Sequence, residues 1–344
     1  MSVPRVSVPP NKVTPYLIPA YAGEKLNLPG SKSTIRVLAS AEETEGTISV
    51  FHMDGVLGDP VGFHHHNEAH DIFMCTKGYM KVWAGDQARL LGPGDFCSVP
   101  KGIVHRPQLV GPWNETIGLV TPGKWIDFFR FVSEPYDGVL ADQFDDRSTL
   151  AAMMPKFQTI QDDYDVIFHP EHQACEVGEW SEKDTVLPDG VEPYYLRANT
   201  GPRYVLGGVL SRPFITTRQS GGKFAITSIE SSSIYGPTVL AHPFTFDKVH
   251  QIYTVLDGSV EVTVNGDRHT VRVGESVLIP RGTTISVQFT EKYCRFWAFA
   301  SGDGLETLIS TAGTEFGGMV VPDKTEPVDF DVVKEKVRGM DLRW

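Results

Sequence analysis

The sequence predicts an all-β fold built from two copies of one domain, and three observations carry that expectation. Short runs such as "YMKVWAG" (79–85), "SVEVTV" (259–264) and "HTVRV" (269–273) alternate apolar and polar positions, the period of a strand with one buried face. In "SVEVTVNGDRHTVRV" the pair Asn265-Gly266 separates two such runs, the residue choice of a type I′ hairpin. The third observation is an internal repeat.

The segment "KGYMKVWAGDQARLLGPGDFCSVPKGIVH" (77–105) matches "DGSVEVTVNGDRHTVRVGESVLIPRGTTI" (257–285) without an insertion. Gly78 meets Gly258, Gly94 meets Gly274, Pro100 meets Pro280 and Gly102 meets Gly282, each pair 180 residues apart. Glycine and proline mark backbone turns, so four such matches point to a shared fold. Helical periodicity is confined to "KWIDFFRFVS" (124–133) and "VDFDVVKEKVRGM" (328–340). The charged, irregular stretch between the repeats reads as a linker. The expected division is an arm over 1–30, a first domain over 31–150, a linker over 151–190, a second domain over 191–320 and a helical tail over 321–344.

Composition narrows the function. A net charge of −12 argues against a nucleic-acid partner, because phosphate contacts need clustered Lys and Arg. No apolar run reaches the ~18 residues of a membrane span. The proline-broken N-terminus lacks a secretory h-region, so a cytoplasmic location is expected. Cys75, Cys97, Cys175 and Cys294 are scattered without CxxC spacing, which favours reduced, buried thiols over a disulfide or thiolate-metal framework.

The densest chemistry lies in "GFHHHNEAHDIF" (62–73), four of the chain's 11 histidines. On a strand, His64 and His66 project together and His65 points away. His70 shares the His64 phase if the strand continues. Imidazole suits Cu, Fe, Ni and Zn; a solvated histidine patch is the bland alternative. Wider context favours a site. Gly58, His64, His66, Asp71 and Gly78 spell G-x5-H-x-H-x4-D-x6-G, and after residues 79–93 Gly94, Pro100, Gly102 and His105 spell G-x5-P-x-G-x2-H.

These strings resemble the two motifs of the cupin superfamily, in which three histidines and a glutamate hold one metal in a small barrel. The resemblance implies a bicupin, two tandem jelly-roll β-barrel domains with a few short helices. It implies His64, His66 and His105 as ligands, with Asp71 at the glutamate position. Asp71 is one methylene shorter than the family residue, so it is expected as a catalytic base and as a candidate fourth ligand. Leu109 stands where the second motif commonly ends in Asn. Glu68 and His70 are minor substitutes for the carboxylate. In the second domain the ligand positions map to Phe244, Phe246, Gln251 and Ile285, a set unable to hold a divalent cation, while His242 and His250 fall off the pattern and read as structural or surface residues.

One competent and one lost site is similar to the fungal quercetin 2,3-dioxygenases (flavonol 2,4-dioxygenases). "TPYLIPAY", "IFMCTKGYMKVWA", "GLVTPGKWIDFFRFVSEPYDG" and the terminal Trp344 extend that likeness over most of the chain. The resemblance implies dioxygen-dependent cleavage of a flavonol or similar enolisable aromatic, with carbon monoxide released from a flavonol. It implies Cu(II), while Fe(II), Ni(II) and Mn(II) are compatible with the donors; Zn(II) would also bind but would argue against the redox chemistry. Phe73, in phase with Asp71, is expected to line the substrate pocket, with His52 and His70 as weaker candidates. Three rivals stand beside this reading: a related bicupin acting on another aromatic or polyketide, by oxygenation or by non-oxidative isomerisation or cleavage; a metal- or ligand-binding bicupin without turnover; and a bicupin whose histidines are vestigial. The expected partners are a small aromatic substrate and dioxygen. Edge strands of such barrels also suit a homodimer.

Overall fold

The computed structural model describes residues 3–58 and 61–344. Residues 21–200 form one compact unit; residues 1–20 join 201–344 in the other. The limits drawn from sequence instead placed 1–30 in an arm and began the second domain at 191. The difference comes from two short strands.

In the 21–200 unit an eight-stranded antiparallel sheet runs, edge to edge, Glu134–Pro135, Glu24–Asn27, Ser33–Ala39, Ser49–Gly55, Asn114–Thr121, His70–Lys77, Phe96–Val99 and Tyr194–Leu196. A second sheet orders Ile167–Phe168, His64–His65, His105–Leu109, Met80–Ala84 and Gln87–Leu91. Both sheets contribute lining to one apolar cavity, which therefore lies inside this jelly-roll. Two short helices, Thr149–Met153 across the start of the expected linker and Phe157–Asp163 within it, belong to this unit. With the expected helix Asp127–Val132 they pack Phe128, Val132, Met153 and Ile160 into a single cluster.

The other unit repeats the plan. Its larger sheet orders Tyr16–Ile18, Ser276–Ile279, Gln251–Asp257, Cys294–Ala300, Ala225–Ser231, Val209–Ile215, Tyr204–Leu206 and Thr314–Glu315. Its smaller sheet orders Phe244–Thr245, Thr284–Phe289, Ser259–Val264 and Asp267–Arg272. Tyr16 pairs with Leu278 and Tyr194 with Ser98, so each unit's edge is completed at the same repeat position.

Local sequence explains the elements. In Ser259–Val264 the three valines are buried and the polar residues between them are not. Asn265 and Gly266 both take positive φ, 49° and 89°, as the expected hairpin requires. Gly78 and Gly258 sit at φ 71° and 66°, and a Cβ on either would fall 2.3 and 2.4 Å from the carbonyl oxygens of Trp113 and Tyr293. A side chain is excluded at both, which is why the repeat keeps glycine there. The expected C-terminal helix forms over Phe330–Lys336, and Leu305–Ala312 is a further helix. Among the described residues no helix is long and apolar enough to cross a membrane.

Candidate metal centre

His64 opens a two-residue strand that pairs with His105 on one side and Phe168 on the other. His66 follows two residues on and His105 begins the neighbouring strand, so two strands bring three imidazoles together. Their rings stand 4.3 to 5.2 Å apart, and one ligand atom from each lies within 4.8 Å of the others. Asp71, on His70–Lys77, places Oδ2 3.2 Å from Nε2 of both His66 and His105. All four residues are buried.

Every Nδ1 of the triad faces a backbone carbonyl: His64 that of Gly62 at 2.8 Å, His66 that of Asp165 at 2.5 Å, His105 that of Ile103 at 2.9 Å. A carbonyl only accepts, so each ring donates from Nδ1 and turns the Nε2 lone pair inward. This is how ligating histidines are usually oriented. The Nε2 lone pairs and the Asp71 carboxylate would repel at 3.2 Å unless a proton or a cation lies between them. The donor set therefore fits a divalent metal.

The electrostatics agree. Burial and the two neighbouring imidazoles push His64 well below its ordinary value. Burial pulls His66 down as well, but the Asp71 carboxylate and the Asp165 carbonyl outweigh it and leave it raised. Burial alone would raise the Asp71 carboxyl; the charge of His66 and the contacts with both histidines outweigh it and hold Asp71 well below the carboxylate range. The opposite shifts of His66 and Asp71 are those of a mutually stabilising imidazole–carboxylate pair.

The remaining sequence candidates fall in different places. Phe73 lines the cavity with Asp71, and its ring lies 6.0 Å from that of His105. His65 points away from the triad and meets His169 Nε2 at 2.7 Å. His70 projects from the strand opposite to Asp71 and lies 2.8 Å from the Ser98 hydroxyl. His52 alternates with Phe51 and Met53, which line the cavity while His52 does not. Glu68 is exposed, 4.0 Å from Lys101.

The cavity, about 140 Å³, is walled mostly by apolar side chains from both sheets and the helices, among them Phe51, Met53, Met80, Trp125, Phe128 and Phe168. Trp125 also packs edge-on against His66, ring centres 4.9 Å apart. Asp165 belongs to no motif read in the sequence, because only the chain path brings it to the triad.

In the repeat unit Phe244 pairs with Ile285 as His64 pairs with His105. Phe244, Phe246 and Ile285 are buried in that unit's core, and Gln251 accepts a hydrogen bond from the Tyr253 hydroxyl at 2.7 Å. His242 stacks on Phe330, and the buried His250 ring accepts from the Arg281 amide through Nδ1 at 3.4 Å.

Two cupin domains on one chain make the protein a bicupin: the sequence model described as "Cupin domain" matches residues 56–113 and 235–293. Over nearly its whole length the chain is similar to enzymes named quercetin 2,3-dioxygenase. It is 21% identical to that of Bacillus subtilis (strain 168), across 97% of this chain and 96% of the relative. With that of Aspergillus japonicus it shares 24%, across 91% and 96%. Solved structures with the same fold include protein Ylba from E. coli, at TM-score 0.54 and 9% identity over 85% of this chain and 91% of the other. Oxalate decarboxylase from Bacillus subtilis superposes at TM-score 0.50 and 14% identity, over 86% and 79%.

Proposed function

We propose that the chain is a metal-dependent dioxygenase of the quercetinase type, acting on a flavonol or a similar enolisable aromatic. The observation that carries this reading is the inward-facing His64, His66, His105 set beside Asp71, of which His64 and Asp71 line an apolar cavity. Relatives named quercetin 2,3-dioxygenase, matched along almost the full chain, support it.

His64, His66 and His105 would hold the ion through Nε2, which when bound offers a Lewis-acidic anchor for an enolate oxygen and access to dioxygen chemistry. Once those lone pairs are committed, neither His66 nor His105 can donate to Asp71. Its Oδ2 is then free to accept the substrate's hydroxyl proton. Phe73, Phe51 and Trp125 would flank the flat substrate, and the apolar walls would keep water from the enolate. On this reading His52 and His70 take no part, since neither lines the cavity.

The test is metal analysis of the purified protein joined to oxygen uptake over a series of flavonols and other enolisable phenols. Metal-dependent oxygen consumption, with carbon monoxide released from a flavonol, is expected. Conversion that needs the metal but consumes no oxygen would replace this reading with non-oxidative isomerisation or cleavage.

A further inference from the structure

Asp165 lies far in sequence from the histidine motif, just beyond the helix Phe157–Asp163. Its φ of +53° is in the left-handed region, where glycine or asparagine is the usual choice after a helix. The contacts explain an aspartate there. Its Oδ1 accepts the amide of Asn67 at 2.7 Å, and its Oδ2 those of Glu68 and Ala69 at 2.9 and 3.2 Å. Its carbonyl accepts from His66 Nδ1 at 2.5 Å. One residue therefore ties down the turn that joins His66 to the Asp71 strand and sets the ring orientation of His66. The chain beyond it continues the clamp, as Ile167 and Phe168 pair with His65 and His64.

We propose that Asp165 is a positioning residue, holding the His66 imidazole and the 67–69 turn in the geometry the triad needs to bind a divalent cation; this rests on the metal-site reading above. Three amides converging on one carboxylate form a charge-assisted cradle stronger than a single neutral hydrogen bond. Such outer contacts typically govern metal affinity 10- to 100-fold. The αL backbone that Asp165 adopts is tolerated because the same carboxylate over-determines it.

The probe is Co(II), titrated into chelator-stripped protein and followed by its visible absorption and by competition with a chelator. Asp165→Ala is expected to weaken Co(II) by about 10- to 100-fold and to alter the band, reporting a displaced His66. Asp165→Asn, which keeps one acceptor oxygen and tolerates αL, should fall between it and wild type. Amides 67–69 should exchange hydrogen faster in both. Wild-type Co(II) affinity and spectrum in the Ala variant would overturn the proposal, even with faster exchange, since the role would then be structural only. If the Ala variant does not fold, the Asn variant decides by the same readout. Failure of the metal-site reading shows separately: His105→Ala would bind Co(II) as tightly as wild type.

Discussion

Oδ2 of Asp71 stands 3.2 Å from Nε2 of His66, close enough that the carboxylate shares whatever cation the imidazole holds. The pairing outweighs burial at both groups, leaving His66 raised and Asp71 well below the carboxylate range. Asp71→Asn keeps the shape and removes the charge. Turnover should fall at least about 100-fold, the usual scale of a lost general base, while metal content stays near wild type. Asp71→Glu lengthens the arm by one methylene and should tighten metal binding. Steady-state kinetics with metal analysis checks both; unchanged turnover in the Asn variant would remove Asp71 from the reaction.

Metal should bind at one ion per chain. The second unit presents Phe244, Phe246 and Ile285 at the repeat positions, all packed in its core. His64→Ala should leave less than a tenth of an equivalent after gel filtration. A wild-type stoichiometry of two would mean that an unrelated donor set exists.

Gly118 offers a steric test of the cavity. A Cβ there would lie 2.4 Å from Cζ of Phe51, whose ring forms a cavity wall and meets Phe129 edge-on at 5.3 Å. Gly118→Ala must push that ring into the cavity or out of its packing, at a cost of about 1–3 kcal/mol. The expected result is a raised KM for a bulky flavonol, with Co(II) affinity unchanged, because Phe51 offers no donor atom to the metal site. Equal KM for small and large substrates would place the substrate elsewhere.

Glu306, in the second unit, is buried near the start of the helix Leu305–Ala312, and burial pushes its carboxyl up to about 7. A carboxyl raised by folding contributes fully below its unfolded value of 4.5, and that contribution is lost as pH rises through 7. The penalty at full ionisation is roughly 3 kcal/mol. Gln can keep the acceptor oxygen that the Gly304 amide and the Thr307 hydroxyl use, both at 2.9 Å. Glu306→Gln should therefore raise the thermal midpoint at pH 8 and change it little at pH 5. The same shift at both pH values would show that ionisation is not the cause.

Much of the fold was legible because it depends on local rules. Alternation in Ser259–Val264, the Asn265-Gly266 turn and the repeated glycines each state a backbone requirement within a few residues. Strand phase grouped His64 with His66 apart from His65, and the repeat set Phe244, Phe246, Gln251 and Ile285 opposite His64, His66, Asp71 and His105. The phase argument failed to transfer to His70, because the two-residue strand His64–His65 ends and a new strand restarts the alternation at His70.

Tertiary structure alone decided the rest. Strand pairing is a long-range property: nothing near Tyr16–Ile18 or Tyr194–Leu196 says which edge each completes, and those edges set the bounds of the two units. The same holds for the carbonyl that orients His66, which arrives from Asp165, 99 residues away. The sequence by itself determined which side chains can offer lone pairs to a metal. Only the folded chain decided which of them meet, and which way each ring must turn, because hydrogen-bond partners are assigned by proximity in space.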